Sequence, residues 1–193
     1  FIQDATPQWA TLTISGPRAR SLMTKLDLGI PLDDEAMPHL SIIAKDNLRI
    51  ARVSFTGDCS YEISVPSRQA GRLWDHIRGA GREFNLSLQG VEALAILRME
   101  KGLIFVGKDT DGTTMPHDIG FAMPREKKTG EYVGKRSLFT ESANRSDRLQ
   151  LVGLACEGEP LVVGAHVVTR GSLRSQGFVT SSAHSPTLNA PIA

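Results

Sequence analysis

The chain has 193 residues, 40% apolar and 22% charged, with a formal net charge of +1 at pH 7. That composition provides for a hydrophobic core in one generous soluble domain, or one domain and part of another, and the near-neutral balance excludes the broad basic footprint of a nucleic-acid binder. No apolar run approaches the roughly 18 to 20 residues that span a bilayer. Cys59 and Cys156 lie far apart without companion histidines, which indicates neither a disulfide framework nor a zinc site, so a reducing, cytoplasmic setting is expected.

The first element in chain order is an alternating run, Trp9 to Ile14, followed by Ser15-Gly-Pro17, which predicts a strand feeding a helix. Ala19, Leu22, Met23 and Leu26 fall at i, i+3, i+4 and i+7, one face of that helix. Residues 27–47, rich in Asp and Pro, read as loop with a short strand near Leu40 to Ile43. Leu48 to Phe55 and Tyr61 to Val65 then predict a hairpin with a long turn over Thr56–Ser60. Behind a cap at Ser67, the positions Ala70, Leu73, Trp74 and Ile77 make a second helical stripe. Strand, helix, strand, strand, helix is a split βαβ order and predicts an α+β fold.

A third helix is expected from about Gly90 to Lys101, stopped by Gly102 in a left-handed conformation. Loop follows to about Gly134, then Lys135–Leu138 and a polar linker at 141–147. From Leu149 the helical period disappears and short β runs take over, at Leu149–Ala155, His166–Thr169 and Gly177–Thr180. This places a boundary near residue 145, with a small all-β, barrel-like domain at 146–193. The start at Phe1 without Met and the end soon after a strand predict an excerpt of a longer polypeptide, incomplete at both ends.

Two residues carry chemistry. The period of two sends Tyr61, Ile63 and Val65 to one face of their strand and Ser60, Glu62 and Ser64 to the other. Facing solvent, Glu62 has no special role; lining a cavity, its carboxylate can accept paired hydrogen bonds from the ring N–H and NH₂ of an amino-pyrimidinone. Arg98 falls on the apolar stripe Val91, Leu94, Ala95 of the third helix, where a guanidinium must snorkel, pair or meet an anion. A structural ion pair with Glu62 or Glu100 and an anionic ligand are both open. Asp109-Thr-Asp-Gly112 resembles half of a calcium loop but lacks its closing Glu, so turn or capping roles are expected there. His39, His76, His117, His166 and His184 show no metal-ligand spacing, and no nucleophile elbow is present.

Two runs extend this reading. Arg52-Val-Ser-Phe-Thr-Gly-Asp-Cys-Ser-Tyr-Glu-Ile63 resembles the run R-T-G-Y-T-G-E-D-G-F-E-I of the glycine-cleavage T-protein family of aminomethyltransferases, and Arg98-Met-Glu-Lys-Gly to Gly107-Lys-Asp109 resembles that family's R-L-E-x-G-x-x-L-Y-G-x-D. The segments Glu92–Thr113, Gly134–Leu138 and Val179–Leu188 are more similar to one branch, the C-terminal part of the α subunits of heterotetrameric sarcosine oxidases. The resemblance implies that residues 1–145 are the second half of a folate-binding domain. It implies tetrahydrofolate as cofactor, with Glu62 holding the pterin, Tyr61 beside it and Arg98 shaping the site.

The activity so implied is capture, as 5,10-methylenetetrahydrofolate, of the one-carbon unit released when an N-methyl amine is oxidised. The alternatives are a folate-binding module without catalysis, or a T-protein-type aminomethyltransferase. The family's key aspartate belongs upstream of Phe1, so no catalytic residue is assigned here and the segment alone is expected to be inactive. NAD and the flavins FAD and FMN are expected only in the parent complex, whose other sarcosine oxidase subunits are the expected partners. A second arginine of the T-protein run is Leu94 in this chain.

Overall fold

A computed structural model describes residues 1–121 and 128–193, which divide into two units, Phe1–Leu97 and Arg98–Ala193. In the first unit β1 (Trp9–Ser15) leads through Gly16 into α1 (Ala19–Leu26). Gly16 adopts φ 122°, a region closed to most side chains, and its N–H donates to the Cys59 carbonyl at 2.9 Å. Then come β2 (Ile42–Lys45), β3 (Leu48–Ala51), β4 (Ser60–Pro66) and α2 (Ala70–Gly81). The sheet order is β1-β4-β3-β2 with every neighbouring pair antiparallel. Hence β1 and β3 run the same way with β4 inserted between them, a split βαβ unit of mixed helix and sheet.

The core forms on one face of this sheet. Ile14, Ile50, Tyr61, Ile63 and Val65 meet Ala19, Leu22, Met23 and Leu26 of α1 and Leu73 and Ile77 of α2. Each large aliphatic side chain so buried contributes roughly 1.5–3 kcal/mol. The stripe of α1 is buried as its spacing requires, but Trp74 of α2 is exposed and stacks under Arg78. The loop at 27–41 is anchored rather than free. Met37 is fully buried, and Asp34 accepts from both Arg20 and Arg52 at 2.5 Å while Arg52 also donates to the Met37 carbonyl.

The hairpin of β2 and β3 turns at Asp46-Asn47, with Asp46 left-handed at φ 53°, a device that Asp tolerates better than most residues. The strand expected over Leu48–Phe55 ends at Ala51, so the connection to β4 is longer than the Thr56–Ser60 turn expected.

The unit boundary falls inside α3 (Val91–Glu100). In the second unit the helix ends at Gly102, which takes φ 68° and donates to the Met99 carbonyl at 2.9 Å. Short 3₁₀ turns follow at Pro116–Ile119, Lys135–Phe139 and Ser142–Asn144; the part of the expected loop at 122–127 lies outside the described residues. Beyond 145 the described regular elements are strands, the pair β5 (His166–Val168) and β6 (Ser175–Phe178) and the pair β7 (Ala183–Ser185) and β8 (Ala190–Ile192). The run Leu149–Ala155 forms no strand of its own, although Leu154 and Cys156 bond to the C-terminal residues Ala193 and Pro191.

The expected boundary near 145 does not coincide with the division at Leu97/Arg98, because residues on its two sides are bonded to each other within the second unit. Arg148 donates Nε to Asp118 at 2.9 Å and Nη2 at 2.5 Å, and the Leu151 N–H donates to the Asp118 carbonyl at 2.7 Å. Among the described residues no helix is long and apolar enough to cross a membrane.

Candidate functional site

The second face of the first unit's sheet is polar. Cross-strand register pairs Thr11 with Ser64, Thr13 with Glu62 and Ser15 with Ser60, and sets Ala51 of β3 against Glu62 from the other side. Most hydroxyls there are satisfied in pairs: Thr11 with Ser64 at 2.8 Å, and Ser15 with Thr56 at 2.7 Å. Between them Glu62 is half-buried, and its carboxylate makes no hydrogen bond or ion pair with any described residue. Ser60, at 3% exposure, likewise leaves its hydroxyl without a partner among the described residues. A buried polar group left unmatched costs about 1–3 kcal/mol; that applies to the Ser60 hydroxyl, whereas the half-buried Glu62 carboxylate keeps some access to water.

A cleft of about 510 Å³ opens at the same end of the unit, lined by Ser15, Gly16 and Arg18 at the β1–α1 turn, by Thr56, and by apolar Phe84 and Leu97 among others. That volume is in the range of small-molecule sites. Glu62 does not line the cleft itself. Ser15 joins the two, since it lines the cleft and pairs in register with Ser60.

The other expected residues have different surroundings. Tyr61 is fully buried in the core on the face opposite Glu62, as the strand period dictates, and Arg20 Nε donates to its hydroxyl at 3.2 Å. Burial holds its phenol above the ordinary range. It therefore offers no surface to a ligand on the Glu62 side, contrary to the position beside the pterin implied by resemblance. Arg98 is buried in the second unit and donates to Asp109 Oδ2, to the Ser181 hydroxyl and to the Leu103 carbonyl. Its ion-pair partner is thus Asp109, not Glu62 or Glu100.

Asp109 also accepts from Thr180 at 2.6 Å, Ser181 at 2.9 Å and the Phe105 N–H at 2.7 Å. Burial pushes its carboxyl up, and these hydrogen bonds together with Arg98 outweigh that and hold it below the usual range. Glu100 is engaged elsewhere, accepting from Ser185 at 2.5 Å and from the Thr187 hydroxyl at 2.8 Å. Asp111 makes the expected turn, accepting from the Thr113 N–H at 2.8 Å.

Sequence reasoning gave Asp109 a turn or capping role and passed over Ser60. For Asp109 a signal existed, because Arg98 and Asp109 fall in one motif run. For Ser60 there was none, since a hydroxyl on a polar strand face is ordinary until its partners are counted.

This fold has counterparts. The family model described as GCVT N-terminal domain matches residues 1–128, and the chain belongs to that family. It is 39% identical over 196 residues to the sarcosine oxidase subunit alpha of Corynebacterium sp. (strain P-1), covering 95% of this chain and 20% of that protein. It is 31% identical over 206 residues to the aminomethyltransferase of Streptomyces coelicolor, covering 100% of this chain and 52% of that one. Among solved structures, the glycine cleavage system aminomethyltransferase T from Bartonella henselae superposes with a TM-score of 0.79 at 26% identity, over 96% of this chain and 50% of its own. The chain thus spans about a fifth of the sarcosine oxidase subunit and about half of the aminomethyltransferases.

Proposed function

We propose that this chain is the tetrahydrofolate-binding part of a sarcosine oxidase α subunit-like protein, and that Glu62 is the acceptor for the pterin. The observation that carries this reading is the half-buried Glu62 carboxylate, without a partner among the described residues, on a polar sheet face where Thr11 pairs with Ser64 and Ser15 with Thr56. A planar ligand edge bearing two adjacent N–H donors fits one carboxylate better than water does, because both oxygens are used at once. The likeness to sarcosine oxidase α subunits and to aminomethyltransferases supports the same assignment.

Tetrahydrofolate, when bound, supplies the nucleophilic nitrogens that take up the one-carbon unit from oxidative demethylation of an N-methyl amine, giving 5,10-methylenetetrahydrofolate. The chain's own contribution is positional. Glu62 fixes the ring in one orientation, and the antiparallel ladder on both sides of β4 holds Glu62 in place. Arg98 has its charge matched by Asp109, so in this reading it supports the segment that carries it without contacting the anionic tail directly. NAD, the flavins and the remaining subunits belong to the parent complex in this proposal.

The test is made on the assembled oxidase with sarcosine as the amine. With tetrahydrofolate present the wild-type complex is expected to release 5,10-methylenetetrahydrofolate, and a Glu62→Gln complex to release mainly free formaldehyde at an unchanged rate of amine oxidation. Equal product ratios in the two complexes would refute the role given to Glu62.

A further inference from the structure

Glu62 shares its sheet face with an exposed cation. Ala51 of β3 stands opposite Glu62 and Arg49 opposite Ser64, so Arg49 is the diagonal neighbour of Glu62, with Cβ atoms about 7–8 Å apart and within reach of long side chains. An ion pair between them would be favourable, yet among the described residues none is formed. Arg49 instead extends across β4 and lays its guanidinium over the ring of Trp9 on β1, 3.8 Å from the centroid. Stacking uses the flat face of the guanidinium and leaves its in-plane N–H groups open; none of them bonds to a described residue, and the side chain is exposed to any arriving ligand. In the row between Glu62 and Trp9, Thr11 and Ser64 are closed on each other at 2.8 Å. The face thus presents a carboxylate and, one row away, a guanidinium fixed by an indole, each with hydrogen-bonding capacity to offer.

We propose that Arg49 is a specificity-determining contact that selects the ring Glu62 accepts, by donating to the ring carbonyl that lies beside the paired N–H groups. The inference rests on the pterin reading of Glu62. An amino-pyrimidinone presents along one edge an exocyclic NH₂, a ring N–H and a carbonyl oxygen, two donors followed by an acceptor. A carboxylate satisfies the two donors and has nothing to offer the carbonyl. The guanidinium supplies the missing donor, and its stacking on Trp9 reduces the side-chain freedom lost when it does so. A 2,4-diamino ring carries a second NH₂ where the carbonyl stood, which sets donor against donor at Arg49 while leaving Glu62 a partner. The pair therefore favours the oxo ring over the diamino ring, a choice that the carboxylate alone does not make. No proton or electron is transferred; Arg49 acts by recognition.

The experiment is calorimetric titration of tetrahydrofolate and of tetrahydroaminopterin, which differs from it by NH₂ in place of the ring carbonyl, into the wild-type chain and into Arg49→Met, Arg49→Lys and Glu62→Gln, with a melting curve for each. The wild-type chain is expected to prefer tetrahydrofolate by roughly ten- to a hundredfold, the worth of one hydrogen bond to a charged group. Arg49→Met, which keeps an apolar stem over Trp9 and removes the donors, is expected to lose that preference by weakening tetrahydrofolate alone, and Arg49→Lys to keep part of it. A wild-type ratio of affinities in Arg49→Met, alongside weakened binding to Glu62→Gln, overturns the inference and leaves the reading of Glu62 intact. Equal weakening of both ligands in Arg49→Met also overturns it, because the arginine then only supports the sheet. Undiminished tetrahydrofolate binding by Glu62→Gln, or no binding by the wild-type chain, removes both.

Discussion

Arg98 and Asp109 form a buried ion pair in the second unit, with side-chain exposures of 4% and 3%, and the carboxylate is further bonded by Thr180, Ser181 and the Phe105 N–H. The pair ties the end of α3 to the loop after it and to residues 180–181. Removing one partner strands the other charge in a poorly solvating site, so Asp109→Ala is expected to lower stability by about 3–5 kcal/mol. A double replacement, Arg98→Met with Asp109→Leu, is expected to recover much of that loss. Guanidinium chloride denaturation of the three chains checks both statements; a cost for Asp109→Ala under about 1 kcal/mol would mean the pair is solvated.

Asp34 bridges Arg20 and Arg52, and these two guanidinium groups hold its carboxyl down at about 2 from an ordinary value of 3.8. The folded chain therefore binds this proton less readily than the unfolded chain. Its contribution is fully present above the unfolded value and is lost as pH falls from about 4 to about 2. Asp34→Asn is expected to flatten the dependence of melting temperature on pH in that window and to leave it unchanged at pH 6 and above. Because Asp34 is exposed, added salt should shrink the difference between the two chains. Identical acid slopes in both would contradict the bridge.

Tyr61 supplies a sharper test of which face of β4 meets a ligand. Tyr61→Phe deletes the hydroxyl that receives Arg20 Nε and leaves the ring in the core, for an expected loss of about 1 kcal/mol in stability. Tetrahydrofolate affinity should not change, since neighbouring strand residues point opposite ways. A chain that keeps its stability and loses affinity would put Tyr61 on the ligand after all.

Much of the first unit was legible because its pattern is local. Ala19, Leu22, Met23 and Leu26 recur at the helical period and all four are buried, and the alternation along Tyr61–Val65 sorts core from polar face in the way the structure has it. Trp74 broke its stripe because an indole at the rim can lie under Arg78 with its edge in water. Arg98 is buried, but not as part of the stripe that spacing assigned it to, since Val91 is 83% exposed and Leu94 and Ala95 are only half-buried; its partner was not legible either. Asp109 lies eleven residues on, beyond a turn, and Ser181 is 83 residues away, separations that no periodicity reports. The strands β7 and β8 have three residues each, and Pro191 interrupts the second; runs that short carry no recognisable alternation.

The most direct measurement is titration of tetrahydrofolate into the wild-type chain and into Glu62→Gln. Replacing the carboxylate by an amide keeps shape and removes a charge-assisted acceptor, so affinity is expected to fall by about 1.5–3 kcal/mol, roughly ten- to a hundredfold, with an unchanged melting temperature because Glu62 has no partner within the described protein. Equal affinity in the two chains, or no binding by the wild type, would contradict the account.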